Sequence, residues 1–155
     1  MTYTEYKKAR QDEFNNLPIF FAFSNEQFKK AMEERGLTEN DVDKIYKFGD
    51  TGGFYLKKDA DIIRNFMNKP DKLNEYMKNP EFAESAFYYE MGNHEYHINW
   101  QGDWDVCSCF GDCEYSDGKT YVDYLKEIGY TQETINAFKL AKRRFHSDCI
   151  KNDWY

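Results

Sequence analysis

The sequence predicts an α+β fold, mostly helical, with one small antiparallel sheet. Three observations carry this. Apolar residues recur at helical spacing over most of the chain. Glycine and proline break it at short intervals. One stretch, residues 94 to 110, alternates about Gln101-Gly102-Asp103 and reads as a β-hairpin, with residues 54 to 57 as a short third strand. At 155 residues and 41% apolar content, residues 1–155 form a single domain with a proper core. Tyr and Phe number 13 each, so that core is built from rings.

In chain order, residues 3 to 16 form a polar amphipathic helix, stopped near Pro18. The apolar run Leu17 to Phe23 leads to Ser24, an N-cap with Gln27 three residues on. Phe28, Ala31 and Met32 follow at helical spacing, and Gly36 ends that helix. Thr38 opens a short helix carrying Val42, Ile45 and Tyr46 and ending at Gly49. Gly52 and Gly53 make a turn into the strand from Phe54 to Lys57; without a following Lys–Ser/Thr they are not a phosphate loop. Asp59 caps a helix with Ile62, Ile63, Phe66 and Met67. Pro70 and Pro80 each precede a helical pattern, and the second places Phe82, Ala86, Phe87 and Met91 inward. After the hairpin come helices over 118–128 and 132–146. Lys142, Arg143 and Arg144 near the end of the last complement its dipole.

The hairpin register makes explicit claims. Trp100 faces Trp104, Ile98 faces Val106 and Tyr96 faces Ser108 on a packed side. Asn99 pairs with Asp105, His97 with Cys107 and Glu95 with Cys109 on the other. On this reading Trp100→Ala costs about 3–5 kcal/mol. Reversing the charges of Asp103 and Asp105 at the turn leaves stability nearly unchanged.

Charge is concentrated in one region. The net charge is −7, and nine acidic residues lie between Glu81 and Gly118 with no Lys or Arg among them. The remainder holds 19 acidic and 21 basic residues, a balance of +2. Such a field attracts cationic surfaces and repels phosphate backbones, which excludes direct nucleic-acid binding by this segment. No apolar run approaches the ~20 residues of a membrane span. The polar N-terminus, Met1 to Arg10, does not read as a signal peptide, so the expected compartment is the cytoplasm, with reduced cysteines.

Two chemistries fit "NHEYHINWQGDWDVCSCFGDC", residues 93 to 113. The first is a partner-binding surface. Glu81, Glu84, Glu90, Asp103, Asp105, Asp112 and Glu114 supply charge, while Trp100, Trp104 and Tyr115 supply anchors. The second is a zinc site of His97, Cys107, Cys109 and Cys113, the ligand types zinc prefers. Their spacing matches neither a C-x-x-C knuckle nor the H-E-x-x-H helix of a metalloprotease. Small thiols packing as apolar side chains is the plainer alternative, with no cofactor. There is no G-x-S-x-G elbow, and no residue is assigned a catalytic role.

Three blocks carry a resemblance: "FNNLPIFFAFSNEQFKKAMEERGL", "DKIYKFGDTGGFYLKKDA" and "FYYEMGNHEYHI". Over residues 14 to 100 or so, the chain resembles a family of small uncharacterised bacterial proteins of phages and mobile elements of gut bacteria, related to type II anti-CRISPR proteins. The resemblance implies a non-enzymatic anti-defence inhibitor in the bacterial cytoplasm. It transfers no catalytic residue. The acidic, aromatic face would then occupy a basic groove of a CRISPR effector nuclease. The alternative is a zinc-stabilised accessory module of a mobile element with no inhibitory role.

Overall fold

A computed structural model describes residues 1–155. The fold is α+β and mostly helical, with one three-stranded antiparallel sheet. Contacts divide the chain into two compact units: Met1–Arg10 with Asp71–Tyr155, and Gln11–Pro70. Helix α1 (Tyr3–Asn15) contributes residues to both.

The unit Gln11–Pro70 holds the sheet. Strands β1 (Ile19–Phe21), β2 (Ile45–Phe48) and β3 (Gly53–Leu56) run in the order β1-β3-β2, so the expected strand near 54 is the central one. Phe20 pairs with Phe54 across β1 and β3, their rings 5.6 Å apart. Helix α2 (Asn25–Glu34) covers that pair with Phe28, and the Arg35 guanidinium lies 4.1 Å from the Phe20 ring. Ser24 caps α2 by accepting from the Gln27 N–H, and Gln27 reaches back to the Phe23 N–H. The helix expected from Thr38 to Gly49 is not formed. Only a single tight turn spans Val42–Lys44, and Ile45 to Phe48 join the sheet. Ile45 pairs with Leu56 and Phe48 with Gly53, and Gly49 and Gly52 take positive φ in the connecting turn, so both serve a hairpin. Helix α3 (Ala60–Met67) turns Ile63 inward.

The other unit holds the main core. After the short α4 (Leu73–Tyr76), helix α5 (Pro80–Asn93) is capped by the Asn79 side chain, which accepts from the N–H groups of Glu81 and Phe82. It lies against α8 (Gln132–Asn152), with Phe87 and Phe138 rings 4.9 Å apart and Ala83, Ala86, Ala141 and Cys149 wholly buried. Helix α7 (Tyr121–Ile128) starts with a Thr120–Asp123 capping box and ends at Gly129 in the left-handed region.

The hairpin over 94–110 is absent. Residues 94 to 101 turn irregularly, with Glu95 at positive φ, and helix α6 (Gly102–Ser108) follows. Val106, Cys107 and Phe110 are buried while Ser108 is exposed, which is helical spacing and not alternation. Gly102 is a packing glycine: a Cβ there would lie 2.7 Å from the Tyr96 ring. The end of the chain also differs from expectation. Helix α8 continues to Asn152, so Lys142, Arg143 and Arg144 sit mid-helix, outside the last turn where a dipole acts.

Candidate functional site

Loss of the hairpin redistributes the expected binding residues. Glu90 is not on the surface. It is 3% exposed, and its carboxylate accepts from the Tyr3 hydroxyl at 2.6 Å, Lys7 Nζ at 3.2 Å and Asn93 Nδ2 at 3.0 Å. Burial pushes its pKa up, but those three donors outweigh it and hold the carboxyl below its ordinary value. Asp103 and Asp105 are structural as well. Asp103 accepts from the Tyr96 hydroxyl and from the Tyr121 N–H, the latter at 3.0 Å. Asp105 accepts from Asn99 Nδ2 at 2.6 Å. Glu84 is half-buried, 3.8 Å from Arg144. Glu81, Asp112 and Glu114 are exposed as expected.

The aromatic anchors come together differently. Trp100 does not face Trp104. It is 80% exposed, and its ring stands edge-on to Tyr115 at 6.0 Å. Tyr115 meets Trp104 at 5.8 Å, and the Trp104 indole N–H donates to the Cys113 carbonyl at 3.0 Å. Tyr115 also donates its hydroxyl to Asp117 at 2.6 Å. These three rings form a ledge braced from beneath, with Trp100 outermost. Trp104 is shared by two concavities, one lined by Trp100 and Tyr115, the other by Asp112, Glu114 and Glu127. An acidic, aromatic surface therefore exists, smaller than expected and centred on residues 100 and 112–117.

The zinc quartet is not assembled. Cys107 is wholly buried in the core, and His97 packs against Phe145 and Tyr155. Cys113 belongs to the acidic concavity beside Trp104. The fold instead brings Cys109 to His94, with Sγ 3.3 Å from Nε2, and sets Glu90 Oε2 3.7 Å from the same nitrogen. This is not a nucleophilic relay, in which nucleophile and orienting carboxylate use opposite nitrogens of the imidazole base. Burial, reinforced by Glu90, pushes the Cys109 thiol up to about 11, so it stays protonated near neutrality. His94 and Cys109 as neighbours were invisible in a hairpin register that paired Glu95 with Cys109.

A family model matches residues 2–114. The chain belongs to DUF7659, a family of unknown function. No curated protein and no solved structure matches it. The DUF7659 match takes in Glu90, His94, Cys109, Trp100 and Trp104, and ends one residue before Tyr115. No helix of this DUF7659 protein is long and apolar enough to cross a membrane.

Largely beyond the matched residues, α8 borders a cavity of about 510 Å³ that sequence reasoning missed. Tyr96, Tyr121 and Phe145 line it, and Lys139, Lys142 and Arg143 supply its charge. Lys142 Nζ lies 5.5 Å from the Tyr121 ring centre and 5.8 Å from that of Tyr96. The signal was there in the basic run read as dipole compensation. Lys142 also borders the concavity of Trp100 and Tyr115, together with Lys119, whose ammonium pairs with Glu127.

Proposed function

We propose that this DUF7659 protein is a non-enzymatic interaction protein that docks the Trp100–Tyr115 ledge onto a cationic protein surface. The observation that carries the reading is a tryptophan 80% exposed yet held edge-on by a second, braced ring. An isolated exposed ring is ordinary, but aromatic anchors dominate interface energies. One already held in place loses little conformational freedom on binding. Asp112 and Glu114, exposed beside Trp104, add attraction for cations and speed the encounter.

Within that class we propose an anti-defence inhibitor acting in the bacterial cytoplasm, with a CRISPR effector nuclease as its target. Two supports bear on this finer assignment: the resemblance of the three sequence blocks, and the cation-lined guide and target channels of such nucleases. The test is to add purified protein to a guide-loaded CRISPR nuclease and follow DNA binding and cleavage. Inhibition that fades as salt rises, with the Debye length falling from about 10 Å at 0.1 M to about 3 Å at 1 M, supports the proposal. Unimpaired cleavage at saturating protein removes it.

A further inference from the structure

We infer that Glu90, His94 and Cys109 form a zinc site, with a donor set different from the one the cysteine spacing suggests and independent of the ledge. One ligand atom from each lies within 4.8 Å of the others. Tetrahedral zinc, with bonds of ~2.3 Å to sulfur and ~2.0 Å to nitrogen or oxygen, holds S and N roughly 3.6 Å apart and N and O roughly 3.3 Å apart. Here Sγ–Nε2 is 3.3 Å and Nε2–Oε2 is 3.7 Å. The third pair, the Cys109 sulfur and the Glu90 carboxylate, lies within 4.8 Å against roughly 3.6 Å around one zinc ion, so an inward movement of roughly 1 Å at most between them brings all three donors onto one ion. A soft sulfur, an imidazole and a carboxylate together favour zinc over magnesium or calcium, which take oxygen ligands.

The surroundings are those of a built site. Glu90 and His94 lie one helical turn apart, at the end of α5, and Cys109 caps α6. Asn99 ties the two segments together, donating to the His94 carbonyl at 3.0 Å and to Asp105 at 2.6 Å. The carboxylate of Glu90 is divided between two tasks. Oε1 takes the Tyr3 hydroxyl and Lys7, while Oε2 faces His94 and accepts from Asn93. Outer hydrogen bonds of this kind orient ligands in metal centres. The His94 side chain is 36% exposed, which leaves solvent access for a water as fourth ligand. Zinc would bind the sulfur as thiolate, releasing the Cys109 proton to solvent. The +2 charge of the ion would then balance one thiolate and one carboxylate.

The experiment uses the full chain, purified without a histidine tag and stripped of metal, titrated with Co²⁺ as a spectroscopic probe and then with Zn²⁺ as competitor. One equivalent of cobalt should bind with a thiolate-to-metal charge-transfer band, and zinc should displace it. Cys109→Ser should abolish the band and Cys113→Ser should retain it. Tyr3→Phe, acting only through Glu90, should weaken zinc binding about tenfold to a hundredfold. If Cys109→Ser fails to fold by circular dichroism, His94→Ala at the solvent edge must lose stoichiometric zinc binding. No charge-transfer band on folded wild-type protein overturns the assignment, as does a band that survives Cys109→Ser.

Discussion

The Asp103 carboxylate holds the Tyr96 hydroxyl with one oxygen and the Tyr121 backbone N–H, at the start of α7, with the other. One side chain on α6 thus fixes both the irregular turn before it and the helix that follows. Asp103→Ala would leave a partly buried phenol and a helix N-terminus without their acceptor. The expected loss is roughly 1–3 kcal/mol, read as a lower midpoint in urea unfolding. Equal midpoints for variant and wild type would show that water replaces Asp103 without penalty.

Gly102 depends on the same contact. A methyl group there meets Tyr96 Cδ2 at 2.7 Å, and the ring cannot swing aside while its hydroxyl is held by Asp103. Gly102→Ala should therefore destabilise by about 1–3 kcal/mol, although alanine ordinarily favours a helix. A stabilised variant in thermal melting would mean that the ring is free to move.

Alkaline pH should unfold the protein through its tyrosines. Burial first, and then the hydrogen bond to a carboxylate, pushes Tyr3 and Tyr96 far above the ordinary value of 10.0; burial pushes Tyr130 to about 12. A folded value raised above the unfolded one means that the stabilisation is complete below pH ~10 and is lost as pH rises through the folded value. Near-ultraviolet absorbance should show exposed tyrosines ionising gradually, then a cooperative late step coincident with loss of helical circular dichroism. A single gradual ionisation complete before any unfolding would place these phenols in solvent.

Much of the fold was legible from the residues. Ser24–Gln27, Asn79–Pro80 and the spacing Phe82, Ala86, Phe87, Met91 announced α2 and α5, because caps and helical periodicity are local signals. Residues 94 to 110 misled for a physical reason. Gln101-Gly102-Asp103 resembles turn chemistry, but Gly102 is there for the Tyr96 ring and Asp103 for Tyr96 and Tyr121, both tertiary demands. The spacing Val106, Cys107, Phe110 carried the helical answer. At Ile45 to Phe48 the decision lay with the partner strand, which a single segment does not reveal. The site suffered most. Counting acids located the charge, but not that Glu90 is buried against Tyr3, 87 residues away.

On the proposed function, the Trp100 ledge binds a partner and does not hold the fold together. The most direct measurement pairs wild type with Trp100→Ala, in urea unfolding and in complex formation with guide-loaded CRISPR effector nuclease by size-exclusion chromatography. With Trp100 80% exposed, the two unfolding free energies should lie within about 0.5 kcal/mol of each other. Wild type should form the complex and the variant should lose it, since an interface anchor costs about 2 kcal/mol or more when truncated. A variant that binds as wild type does, or a wild type that forms no complex, would contradict it.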